Sequence, residues 1–122
     1  MTDLNQFNPT SLDALLDAML TEGSNAVDGV LEDAVAVRAH LKTLADASLK
    51  TMKALGAGTI SADTAAEIME ERKDVLGQML EFELFLAHVA AQKLTDAIFR
   101  VIGWAVFNRT GINLVPGLVQ PG

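Results

Sequence analysis

The stretch LFLAHVAAQKLTDAIFRVIGWAVF, residues 84–107, decides how this chain folds. Seventeen of its twenty-four residues are apolar, and its C-terminal part, AIFRVIGWAVF (97–107), has only Arg100 and Gly103 outside that class. Read as a helix, it carries one stripe through Leu86, Ala90, Leu94, Ala97 and Val101. A second runs through Leu84, Ala87, Ala91, Ile98, Ile102 and Val106, while Phe85, Val89, Phe99, Trp104 and Phe107 fill other angles. A thin polar line remains: His88, Gln92, Asp96 and Arg100, with Glu81 before it and Lys93 beside it. A helix that is apolar nearly all round is buried on nearly all sides. The question is what buries it.

Lipid is the first possibility. A spanning helix needs about 18 or more largely uncharged residues, but the longest charge-free run inside the segment is nine, Leu84 to Gln92. Lys93, Asp96 and Arg100 would each cost roughly 2.5–3.5 kcal/mol near a bilayer centre. A helix lying on the membrane surface could use Phe99, Trp104 and Phe107 as anchors, but its polar face is not enriched in Lys or Arg. The chain's own remaining pieces are the second possibility, and other copies of the chain are the third. The alanines at 87, 90, 91 and 97 permit close helix approach.

Outward from this segment, the sequence reads as helix throughout its middle. No proline falls between Pro9 and Pro116, so the strongest helix breaker is missing from that span. Ser61 is a capping residue with Asp63 in the first turn, and no glycine pair or proline follows until Thr110-Gly111. This predicts one helix over 61–109, with Gly77 and Gly103 as interior points of bending or close approach. Before it, LGAGTIS (55–61) is a turn after a helix over 24–56, whose stripe includes Val27, Leu31, Ala34, Leu41, Ala45, Met52 and Leu55. A short helix over 10–21 starts at Thr10 or Ser11 and is interrupted by Gly23, Ser24 and Asn25. Residues 1–9 form a leader, and 110–122 an apolar, Pro/Gly-punctuated tail expected to lie extended against something. The expected fold is therefore all-α: one domain, a long antiparallel, coiled-coil-like helical hairpin with a short N-terminal helix and an extended C-terminal tail. Folding at Gly58 pairs residues whose numbers sum to about 116, which sets Lys53 by Asp63, Lys50 by Glu67, Lys42 by Asp74, Glu22 by Lys93 and Asp17 by Arg100.

Composition narrows function. The net charge is −7 in 122 residues, the wrong sign for a nucleic-acid partner and for an anionic membrane. There is no cysteine, hence no disulfide, thiolate or Cys-based zinc site. Neither histidine has a Glu three residues before it, since Val37 precedes His40 and Phe85 precedes His88 at that spacing; the Glu-x-x-His pattern of carboxylate-bridged metals is missing. The glycines of LGAGTIS follow a helix rather than a strand, so they form no phosphate cradle. No cofactor, metal or catalytic residue is expected. The start MTDLNQFNPTSLDALLDAML has acidic residues and no basic n-region, which points to synthesis in the cytoplasm without a signal peptide, compatible with a place in a virus particle or an assembly exported without a cleaved signal.

These readings converge on a non-enzymatic, self-associating structural subunit. The residues expected to carry association are Leu84, Leu86, Ala87, Ala91, Ile98, Val101, Ile102, Trp104 and Phe107, with His88, Gln92, Asp96 and Arg100 as a polar line fixing register. Ile98→Asp should then dissociate the assembly while leaving each chain helical. A membrane-interacting or pore-forming protein is the alternative reading, and a small adaptor that binds another chain is a further one.

Overall fold

The computed structural model describes residues 4–31 and 34–120. Residues 1–3 of the leader, 32 and 33 of the expected second helix, and 121 and 122 of the tail lie outside that description. Among the described residues the chain is all-helical: a 3₁₀ turn at Leu4–Gln6, then α1 (Leu12–Ala26), α2 (Val35–Gly56), α3 (Ala62–Leu84) and α4 (His88–Thr110).

Helix α1 starts where a capping residue allows it. The Ser11 hydroxyl accepts from the Ala14 amide at 3.2 Å, and Asp13 sits in the first turn. Its end departs from expectation. Gly23 does not stop the helix, which runs on to Ala26. Gly23 instead marks a close approach: a Cβ there would lie 2.9 Å from Leu31 Cδ1 and 3.0 Å from Leu94 Cδ1. The actual break comes after Ala26, at 27–31, where Gly29 adopts φ 71°. Asp28-Gly29 is a turn dipeptide, and it divides the expected 24–56 helix. Leu31 is buried, but as part of this connection and not of a helical stripe.

Helix α2 buries Val37, Leu41, Leu44, Ala45, Met52 and Leu55 at helical spacing. Its two buried hydroxyls bond back to the helix: Ser48 donates to the Leu44 carbonyl at 2.8 Å and Thr51 to that of Ala47 at 2.9 Å. Gly58, at φ 75°, turns the chain. Ser61 caps α3 by accepting from the Thr64 amide at 3.1 Å. Helix α3 then buries Ala65, Met69, Leu76, Gly77 and Leu80 along one face.

The expected 61–109 helix is broken in its middle. Phe85 closes α3 in the left-handed region, at φ 52° and ψ 35°, and α4 begins at His88. No glycine or proline signals this. Leu84 and Leu86, on either side, both pack against the core, and the reversal between them leaves Phe85 outside. The reversal also lets α4 turn back among the other elements. It touches α1, α2, α3 and the N-terminal 3₁₀ turn. So each arm of the expected long hairpin is two helices, and α4 packs against the first three.

The termini complete the enclosure of α4. Asn108 Nδ2 donates to the carbonyls of Leu4 at 2.9 Å and Phe7 at 2.8 Å, and Arg109 donates to Asn8 Oδ1 at 3.2 Å and to the Pro9 carbonyl. Gly111, at φ 76°, caps α4 with its amide on the Phe107 carbonyl at 2.8 Å, as the Thr110-Gly111 signal implied. The tail then crosses α4: Leu114, Val115 and Val119 are buried, the latter two beside Trp104. Gly103 permits this, because a Cβ there would fall 2.2 Å from Val115 Cγ2 and 2.7 Å from Val119 Cγ2. Asn113 holds the tail's bend, donating to the Val119 carbonyl at 2.9 Å and accepting from the Val115 amide at 3.2 Å.

Candidate interaction surface

Enclosure of α4 changes what its apolar residues are available for. Ala91, Ile98, Val101, Ile102 and Trp104 are all buried within the single chain, and Phe107 is half-buried with its ring edge-on to Trp104 at 5.9 Å between centroids. The first four are covered by the chain itself and are not displayed to a second copy. Leu84 and Leu86 pack partly into the core, and Ala87 is exposed at the start of α4. Of the nine residues expected to carry association, these three therefore lie at or beside the outer surface of the α3–α4 corner.

The polar line does not act as one feature. His88 Nδ1 lies 3.1 Å from Glu81 Oε1 and ties the first residue of α4 to the last turn of α3. Asp96 reaches Lys73 of α3 at 3.4 Å, a partly exposed pair, instead of forming the local cluster with Lys93 and Arg100 that its spacing suggests. Gln92 and Arg100 are exposed. The pairs expected from folding at Gly58 are not among the ion pairs of the described residues. Lys50 pairs instead with Asp46 of its own helix at 3.0 Å, an exposed contact of small energetic weight.

What the sequence reading missed is an outer apolar edge. Phe85 is 92% exposed, Phe82 78%, Val89 77% and Val75 51%. Ile68, Val75 and Phe82 recur every seven residues, so they share one face of α3, about 100° around the helix from Met69 and Leu76. Phe85 and Val89 extend this edge around the corner onto α4. The signal was present in the spacing, but beside the far more apolar residues 84–107 it was weak. Scattered exposed apolar residues are normal on a surface. A run of large ones on one edge makes that edge the candidate for an interaction site.

At the N-terminal end of the same edge lies an open groove between α2 and α3, of about 390 Å³. Its apolar lining comes from Leu44 and Ala47 of α2 and from Ile68 and Val75 of α3, with His40, Thr43, Glu71 and Arg72 at its margin. Arg72 is half-buried and donates to Thr51 Oγ1 at 2.9 Å. Burial pulls its guanidinium below the ordinary arginine range, and Glu71 beside it opposes that shift.

Two general findings bound the chemistry. Among the described residues no three His, Asp or Glu side chains gather as metal ligands, and no helix is long and apolar enough to cross a membrane. The chain matches no family model, no curated protein and no solved structure.

Proposed function

We propose that the chain is a non-enzymatic helical subunit that builds a homo-oligomeric structural assembly by pairing with copies of itself. The surface that does so is the outer edge of α3 and its corner with α4: Val75, Phe82, Phe85 and Val89, flanked by Leu84, Leu86 and Ala87. The observation that carries this reading is Phe85. An aromatic residue sits in the left-handed backbone region, where non-glycine residues are strained, and displays its ring almost fully to solvent. The backbone strain opposes the stability of the lone chain, and burial of the ring against a second copy offsets it.

The test is the mass of the untagged protein in plain buffer, by sedimentation or light scattering across a wide concentration range. A defined oligomer is expected, and the double variant Phe82→Ser, Phe85→Ser should be a monomer with unchanged helix content. A wild-type protein that stays monomeric at every concentration defeats the reading. If such a monomer floats with lipid vesicles, the aromatic corner serves a membrane surface instead.

A further inference from the structure

In the whole sequence only one aspartate or asparagine is followed by glycine: Asp28-Gly29, in the connection between α1 and α2. Such a pair has a reaction of its own. The main-chain nitrogen of the second residue attacks the side-chain carboxyl carbon of the first and closes a succinimide ring. Glycine favours the closure because it has no Cβ to crowd the ring and the least restricted backbone. A helix opposes it, by holding the amide on the carbonyl four residues back and by fixing ψ.

The fold leaves this pair open and restrains the other described aspartates. Asp28 and Gly29 are both exposed, and nothing lies within 4 Å of where a Gly29 Cβ would stand. Neither the Asp28 carboxylate nor the Gly29 amide has a hydrogen-bond partner among the described residues. Asp17, Asp46, Asp74 and Asp96 lie inside α1, α2, α3 and α4, where the next amide is held by the helix. Asp13 and Asp63 stand in first turns, where the next amide lacks a helical carbonyl. There the capping serines take it: the Ala14 amide donates to Ser11 Oγ at 3.2 Å and the Thr64 amide to Ser61 Oγ at 3.1 Å. Asp3 and Asp33 lie outside the described residues.

We infer that Asp28-Gly29 is a site of spontaneous covalent modification, at which the folded chain converts aspartate to isoaspartate and thereby loosens the seat of Leu31. The Gly29 nitrogen bonds to Asp28 Cγ, and the carboxyl hydroxyl leaves with the amide hydrogen as one water. A water then adds back. Breaking the bond from nitrogen to Cγ restores aspartate. Breaking the bond from nitrogen to the main-chain carbonyl carbon leaves the chain running through Cβ and Cγ, with the α-carboxyl as the pendant group. The net charge is unchanged, but the main chain has gained a methylene. Leu31, two residues beyond Gly29, is 2% exposed, and its Cδ1 lies 2.9 Å from where a Gly23 Cβ would stand. A close-packed seat does not take up an extra main-chain atom without shifting. The reaction needs no second copy, so it proceeds whether or not the chain self-associates.

The experiment ages the full chain in warm neutral buffer, folded and in parallel in urea. Isoaspartate is located by peptide mass spectrometry with backbone fragmentation and quantified by methyl transfer from an isoaspartyl methyltransferase. In the folded sample, position 28 should hold more isoaspartate than all other positions together. It should form within about threefold of its rate in urea, since an amide outside the helical ladder gains little protection from the fold. Asp28→Asn should speed the reaction, with ammonia leaving in place of water. Asp28→Glu, whose longer side chain closes the ring poorly, should stop it. The melting temperature of the aged wild type should fall by a few degrees in step with its isoaspartate content, while equally aged Asp28→Glu protein keeps its own. Isoaspartate that forms at 28 in urea but not in the folded chain, or that gathers mainly at another aspartate, overturns the site. A melting temperature indifferent to isoaspartate content overturns the loosening of Leu31.

Discussion

Replacing Phe85 by glycine should stabilise the isolated chain while abolishing its association, a combination that few interface substitutions give. An L-residue in the left-handed region costs roughly 1–2 kcal/mol, and glycine enters that region freely. Glycine's extra freedom in the unfolded chain returns about 0.5–1 kcal/mol of this. Phe85 is 92% exposed, so little packing is lost with the ring. The net gain expected is about 0.5–1 kcal/mol, which for a chain of this length raises Tm by about 2–5 °C. The assay is urea and thermal unfolding at protein concentrations low enough that association is absent. The urea midpoint should rise with its slope unchanged. Phe85→Ala is the control: it removes the ring but keeps the strained backbone, so it should match the wild type within about 0.5 kcal/mol. If Phe85→Gly is destabilised, or if alanine does as well as glycine, the residue is not strained. The case for a surface that stores cost at this corner then fails.

Other outcomes follow from the packing of α4. Gly103→Ala should destabilise by about 1–3 kcal/mol and loosen the tail, because the added Cβ would overlap Val115 and Val119; protection of the tail amides from hydrogen exchange reports it. Gly77→Ala should do the opposite and gain about 0.5–1 kcal/mol in urea unfolding, since a Cβ there meets Gln92 Nε2 at 3.5 Å and Thr95 Oγ1 at 3.6 Å, ordinary contact distances. Asn108→Ala should cost about 1–2 kcal/mol and free residues 4–9, having removed the donor to the Leu4 and Phe7 carbonyls; limited proteolysis near the N-terminus would detect the release. Ile98→Asp should now unfold the chain instead of merely dissociating it, because Ile98 is fully buried within the single molecule and an unpartnered carboxylate there costs more than about 4 kcal/mol. A cooperative, fully helical Ile98→Asp monomer by circular dichroism would contradict the core described here.

The parts of this fold that local chemistry controls were readable in the sequence. Ser11 and Ser61 start helices, Gly58 and Gly111 end them, and the tail packs onto something. Gly103 was legible as a close approach and proved to be the seat of the tail. Asp28-Gly29 was a readable turn that the surrounding helical periodicity obscured. Gly23 looked like a breaker, but a glycine within a helix is as often a point of contact, and only the position of Leu31 and Leu94 tells the two apart. The reversal at Phe85 had no local signal at all. Its cause is long-range: α4 can be covered on several sides only by turning back toward α1, α2 and the termini. Charge matching over folded arms misled for a related reason. Exposed ion pairs bind too weakly to set register, so apolar packing chose the geometry and the charges took what partners it left.

The break at Phe85 links the hidden and the displayed parts of the molecule. A straight helix over 61–109 would have left α4 short of covering layers. Reversing at 85–87 brings it against α1, α2, α3 and the N-terminal turn, and the residues that looked like an interface become the core. The same reversal cannot bury every side chain at the turn. Leu84 and Leu86 go inward, so Phe85 between them goes out, and Phe82 and Val89 stay beside it on the convex side. The apolar surface that remains exposed is thus a consequence of how the apolar segment was shielded. Substitutions at the corner should therefore separate into two kinds: those at Leu84 and Leu86 should lower stability and association together, and those at Phe82 and Val89 should lower association alone.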